Sequence, residues 1–289
     1  MGSRILYYGL IIPLSYLPIG VLYVFSDVLY FALYRMSGYR KGVVLGNMRR
    51  VFPQKSETEI NELASKFYHH FCDLVVESIK SFTITEKAIK ERVKSPDTAI
   101  PDAYFDRGQD ILMVSGHFGN WELYATAAGF QTKHQIIGIY KKLSNEFFDE
   151  KIRFTRGRFG CKMTGSKFID SAFEKGDRPV GVGFLMDQAP TSSTRAWWMD
   201  FLGQDTAVLF GSEKYARKYD VPVVYGRMDK VKRGHYVTSY ELVCDDPKTM
   251  EKGEITEKMT KMLEADILRT PEFWLWTHKR WKRRRDDGT

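Results

Sequence analysis

The stretch DILMVSGHFGNWE, residues 110–122, decides the fold. Its first half is a short, unbroken apolar run ending in glycine, the pattern of a strand buried on both faces. Its second half leaves that strand between two glycines, Gly116 and Gly119, which allow a tight turn. A helix then starts near Asn120 or Trp121. Four more runs read as strands: QIIGIY (135–140), PVGVGFLMD (179–187), VPVVYGRM (221–228) and HYVTSYELV (235–243). Helical candidates fall between them, at 121–130, 145–158, 166–175, 206–219 and 249–268. Strands alternating with helices predict an α/β fold: a central, largely parallel sheet flanked by helices. The last two strands are expected to pair antiparallel across KVKRG (230–234).

Upstream, residues 56–84 have the spacing of one amphipathic helix. Ser56 and Glu59 form a capping box, and Ile60, Leu63, Phe67, Phe71, Leu74, Val75 and Ile79 recur at helical intervals. His69 and His70 lie in it, with nothing around them to suggest more than packing.

The N-terminus reads differently. ILYYGLIIPLSYLPIGVLYVFSDVLYFALY (5–34) has Asp27 as its one formal charge and exceeds the length of about 20 apolar residues that a helix needs to cross a bilayer. It is too long for a signal-peptide core. Pro13, Pro18 and Gly20 can kink it or divide it into a re-entrant or surface-lying pair. A buried hairpin of a soluble core is the other reading. Arg35, Arg40, Lys41, Arg49 and Arg50 follow the stretch while Arg4 precedes it, which places the remainder in the cytoplasm. The expected organisation is a membrane-anchoring segment, 1–38, and an α/β domain, 39–289.

Lys and Arg total 44 against 36 Asp and Glu, a net charge of +8. That balance suits anionic lipid, an acidic carrier protein or nucleic acid; no RNP-like or helix-turn-helix signature supports the last. Cys72, Cys161 and Cys244 are odd in number and form no CxxC pair, and the histidines lack a ligand cluster, so neither a disulfide framework nor a metal site is expected.

His117 and Glu122 carry the chemistry. His117 lies on the loop at the end of a strand and Glu122 in the first turn of the following helix, beyond the carboxyl edge of the sheet where open α/β folds bind ligands. An alcohol is a poor nucleophile at neutral pH; a neutral imidazole can take its proton as it attacks an acyl carbon. A carboxylate on the other ring nitrogen fixes the tautomer and stabilises the imidazolium. His117 is read as the base and Glu122 as its orienter. HxxxxE by itself is common, and the same pair serves as a turn histidine beside a capping glutamate.

SGHFGNWE (115–122) resembles the first motif of the lipid A late acyltransferases, lauroyl and myristoyl transferases within the lysophospholipid acyltransferase superfamily. The resemblance continues, in order, through the N-terminal apolar stretch, RKGVVLGNMRRVFPQKSETEI (40–60), IYKKLSN (139–145), GFLMDQAP (183–190), DFLGQDTA (200–207) and PEFWLWTHKRWKRR (271–284). It implies a glycerol-3-phosphate-acyltransferase-like fold, catalysis by His117 and Glu122, and a site on the cytoplasmic face of the bacterial inner membrane. The implied reaction moves a fatty acyl chain from an acyl carrier protein or CoA thioester, a co-substrate and not a cofactor, to a hydroxyl of a lipid A precursor.

By resemblance Arg156, in RFTRGRFG (153–160), matches an arginine that stabilises the oxyanion, with Arg153 and Arg158 as competitors. Asp187 and Gln188 resemble a DQ pair that holds the acceptor or orders the site. Phe201 and Gly203 resemble a block beside the acyl or acceptor channel. Asn120, Tyr140, Lys141 and Arg158 are read as further substrate contacts. His278 is read as a packed residue. Tyr140-Lys141-Lys142 and Asn145-Glu146 stand where relatives often have Tyr-Arg-Pro and Asn-Pro, which leaves the acceptor open: a lysophospholipid or aminolipid is the alternative, and a membrane-tethered thioesterase using the same histidine is another.

Overall fold

The apolar run of the opening stretch is the middle strand of a seven-stranded sheet in the computed structural model, which describes residues 2–174, 176–194 and 196–285. In chain order the strands are β1 (Val93–Lys94), β2 (Ile111–Ser115), β3 (Gln135–Tyr140), β4 (Lys162–Gly165), β5 (Val180–Leu185), β6 (Trp197–Phe201), β7 (Gln204–Val208), β8 (Val223–Lys232) and β9 (His235–Cys244). The sheet runs β1-β9-β8-β2-β5-β3-β4, and β6–β7 form a separate hairpin. Strands β8, β2, β5, β3 and β4 are parallel; β9 turns back antiparallel to β8, and β1 pairs parallel to β9. The largely parallel sheet expected from the sequence is therefore present. Central strand β2 is buried at four of its five positions, as an unbroken apolar run requires.

The Glu57–Ser81 helix begins at the anticipated capping box: Glu59 N–H donates to Ser56 Oγ, and Ser56 N–H to Glu59 Oε2. Helices at Trp121–Ala127 and Glu146–Gly157 fall within the expected ranges, and Glu254–Arg269 passes the end of its range, 249–268, by one residue. Two expectations fail. Where a helix was expected at 166–175, residues 166–174 form only a short 3-10 turn, Ile169–Phe173, residue 175 lying outside the described residues, and the helix expected from 206 starts at Gly211. Residues 204–208 pair instead with β6 across Leu202 and Gly203, both at positive φ (57° and 71°), the backbone of a two-residue hairpin turn. Strands β1 and β4 are short edges whose few apolar residues carried no signal.

The N-terminal stretch breaks at one place. Leu17 and Pro18 are extended, while Pro13 lies inside the preceding helical run, just after the π-helical turn Tyr7–Ile11. Beyond the break a 19-residue helix, Ile19–Ser37, is long and apolar enough to cross a membrane. It packs along Glu57–Ser81. Residues 286–289, the end of the expected α/β domain, lie outside the described residues.

Candidate active site

Strand register builds the site. β2 and β5 are parallel neighbours with Ser115 paired to Leu185, and each chain then runs two residues further, to His117 and Asp187. The two side chains meet beyond the carboxyl edge of the sheet. Asp187 accepts from His117 Nδ1–H at 2.7 Å and from the His117 backbone N–H at 2.9 Å. Trp274 Nε1–H donates to the same carboxylate at 2.8 Å. Asp187 is buried, which raises a carboxyl pKa, yet the imidazole beside it and the three donors hold it down to about 2. Burial pushes the His117 imidazole down, and Asp187 more than offsets this, so the histidine stands above its ordinary value. With Nδ1–H on Asp187, Nε2 presents its lone pair outward. The Gln188 side-chain N–H donates to it at 3.3 Å, and the His117 side chain is 13% exposed.

Several constraints hold this loop. Gly119 has φ 63°, and a Cβ there would stand 2.4 Å from the Met228 carbonyl oxygen. Its N–H donates to Phe273 O, and its carbonyl accepts from His70 Nε2–H. Phe118 and Trp274 form an isolated antiparallel bridge, and Leu275 N–H donates to His117 O. Segment 271–284 thus braces the loop and the Asp187 carboxylate together. His278 Nε2 accepts from Ala189 N–H at 3.0 Å, pinning the backbone just after Gln188; burial holds this imidazole down to about 4, so it stays neutral. The 40–60 block meets the same segment: Asn47 donates to the Trp276 and His278 carbonyls, and Arg40 to that of Thr277.

Glu122 is not the partner expected for His117. Both its oxygens are taken by Arg156, with Nη2 to Oε1 at 2.7 Å and Nε to Oε2 at 3.1 Å. Glu122 acts on the imidazole through charge alone, raising its pKa less than Asp187 does. The physical reason is direction. Glu122 stands on the helix flank facing Glu146–Gly157, where a guanidinium fork fits a carboxylate on two bonds, while Asp187 arrives in register from the adjacent strand. Arg156, expected at the oxyanion, is thus committed to Glu122 on two bonds.

The remaining expected residues divide. Gln188 touches His117, and Lys141 is exposed at the end of β3, two strands from β2. Tyr140 donates to Asp149 at 3.1 Å, and Asp149 also takes the Leu143 N–H, which shapes the loop after β3. Asn120 is fully buried: its Oδ1 caps Trp121–Ala127 by accepting from Leu123 N–H, and its amide donates to Glu77. Arg158 caps the other end of a helix, donating to the Ser81 and Phe82 carbonyls at 2.9 Å each. Phe201 is buried edge-on against Trp274, and Gly203 is the hairpin turn. Asn120, Arg158 and Phe201 are thus engaged in holding the fold, while Gly203 is exposed at its turn. Sequence reading missed Trp274 as a donor to Asp187; an aromatic run in a C-terminal motif has no feature that reveals a partner 87 positions away.

Residues 2–283 match the model of the bacterial lipid A biosynthesis acyltransferases, and the chain belongs to that family. It is similar to the lipid A biosynthesis lauroyltransferase of Escherichia coli (strain K12), with 24% identity over 287 residues covering 94% of this chain and 92% of that protein. The protein is accordingly a membrane-associated acyltransferase of lipid A biosynthesis, with a lipid acceptor as substrate.

Proposed function

We propose that this chain moves a fatty acyl group from an acyl carrier protein thioester to a hydroxyl of a lipid A precursor, on the cytoplasmic face of the bacterial inner membrane. The observation that carries the chemistry is the His117–Asp187 pair at the ends of adjacent parallel strands. The acceptor hydroxyl displaces the Gln188 amide from His117 Nε2. As its oxygen attacks the thioester carbon, its proton passes to Nε2, and Asp187 stabilises the resulting imidazolium. Collapse of the tetrahedral intermediate breaks the carbon–sulfur bond, and the imidazolium returns the proton to the leaving thiolate. Arg156, steadied by Glu122, supplies positive charge to the oxyanion. The residues form this machinery without calling on a metal or an organic cofactor.

The net charge of +8 supports an acidic carrier as donor. Exposed Lys141 and Lys142, beyond β3, are suited to acceptor phosphate or to the carrier. The test incubates purified protein with acyl carrier thioester, with and without a lipid A precursor, and weighs the lipid product. The expected product is the precursor plus one acyl ester, lost by about 10³-fold in His117→Ala. Release of fatty acid independent of acceptor would make the protein a thioesterase, and acylation of a lysophospholipid but not the glycolipid would change the acceptor.

A further inference from the structure

Both ends of the N-terminal apolar stretch are fastened to the same α/β body. At the start, Asn145 Nδ2 donates to Ser3 Oγ at 2.7 Å, and Tyr7 packs edge-on against Phe82 and Phe147. At the bend, Lys80 Nζ donates to the carbonyls of Ser15 and Leu17 at 2.9 Å each. Beyond it, Tyr23 donates to Glu77 at 2.7 Å, Ser26 to Asp73 at 2.8 Å and Tyr34 to the Asn61 carbonyl at 3.1 Å, while the Tyr30 and Ser65 hydroxyls share a bond of 2.8 Å. Past the end of the helix, Tyr39 O accepts from Tyr68 and Arg40 donates to Thr277 O. Positions 23, 26, 30 and 34 recur at helical spacing, so one whole face of Ile19–Ser37 is hydrogen-bonded to Glu57–Ser81.

The opposite face is bare. Val21, Val24, Val28 and Phe31 are exposed, and most of the exposed large apolar side chains among the described residues lie in the first 39 positions. A single-pass helix leaves its two ends on opposite sides of the bilayer. Here the two ends touch one domain. Were Ile19–Ser37 to stand upright in lipid, it would carry its bonded partner with it, and the exposed Glu62 and Lys66 of that helix would enter hydrocarbon.

We propose that residues 2–37 do not span the membrane but form a two-armed, bilayer-docking face that lies in the lipid surface, with both ends on the side of the catalytic domain. The occupant of the bare face is the apolar margin of a lipid leaflet. Arg4 at one end and Arg35, Arg40 and Lys41 at the other stand where anionic headgroups begin. The inference rests on the family's membrane association and is independent of the chemistry at His117.

The test uses the full-length chain in cells, with a cysteine at Gly2, whose surroundings are open, or at exposed Lys248 on the body; Cys72, Cys161 and Cys244 are buried. An impermeant maleimide is applied to spheroplasts and to inside-out vesicles. Gly2→Cys and Lys248→Cys are expected to react in the same preparation; reaction of the two in opposite preparations would overturn the proposal. In a second measurement, purified Val24→Glu/Val28→Glu is floated with vesicles of anionic phospholipid. Its bound fraction is expected to fall at least tenfold, with thermal unfolding and acyl transfer in detergent unchanged. Flotation equal to that of the parent chain would show that this face does not dock. Transfer in detergent reports on the acyltransferase reading separately, so either claim can fail alone.

Discussion

At the scale of the residue, His117 differs from the other five histidines in what its ring nitrogens face. His69, His70, His134, His235 and His278 are all pushed down by burial, His70 to about 3, and none has a carboxylate hydrogen-bonded to its ring. His117 has Asp187 on Nδ1 and stands higher than its ordinary value. Gly119 sets the loop that holds it. Replacing Gly119 by alanine forces a side chain into left-handed backbone and against the Met228 carbonyl, which is expected to cost about 2 kcal/mol or more in urea unfolding and to depress transfer along with stability. His117 was legible in the sequence as the candidate base because a short strand, two glycines and a histidine are local features. Its carboxylate was not. Spacing favoured Glu122, five positions on, whereas Asp187 arrives through the pairing of two strands 70 residues apart, and nothing within one segment encodes that pairing.

At the scale of the element, helix ends explain why some motif residues are occupied elsewhere. Arg158 closes the last turn of Glu57–Ser81, and a cation there also suits the negative end of the helix dipole. Arg158→Met is expected to lower stability by about 1–2 kcal/mol while leaving KM for both substrates within about twofold, a split that steady-state kinetics and chemical denaturation read together. A tenfold rise in KM would return Arg158 to the substrate site. Glu213 plays the corresponding part at the start of Glu254–Arg269, accepting from Gly253 N–H and Thr256 N–H while fully buried. The five long strands, the capping box and four of the helices were readable because their periodicity is carried within each segment. The β6–β7 hairpin was not, since Leu202 at φ 57° is a turn that only its tertiary setting imposes.

At the scale of the molecule, motifs separated in sequence converge. The 40–60 block holds the 271–284 segment through Asn47 and Arg40, and that segment holds both His117 and Asp187. The apolar N-terminus is equally part of the assembly. Asp73 is buried against Ser26, Lys230 and Arg233, and Glu77 against Tyr23, Asn120 and Tyr236. A chain beginning at residue 39 would leave these carboxylates short of donors. It is expected to lose about 3–5 kcal/mol, seen as a lowered unfolding midpoint in detergent; an unchanged midpoint would mark residue 38 as a true boundary.

The central claim is that His117 acts as the base under the control of Asp187. The pH dependence of kcat/KM, compared between the parent chain and Asp187→Asn, tests it most directly. The parent's rate is expected to rise with pH through an apparent pKa above 6.5, because only the neutral imidazole accepts a proton and Asp187 raises its pKa. In Asp187→Asn burial acts without the carboxylate, so the rising limb is expected below 6.5, with a plateau about 10³-fold lower. An unmoved limb with activity within tenfold of the parent, or a larger shift from Glu122→Gln than from Asp187→Asn, would contradict the account.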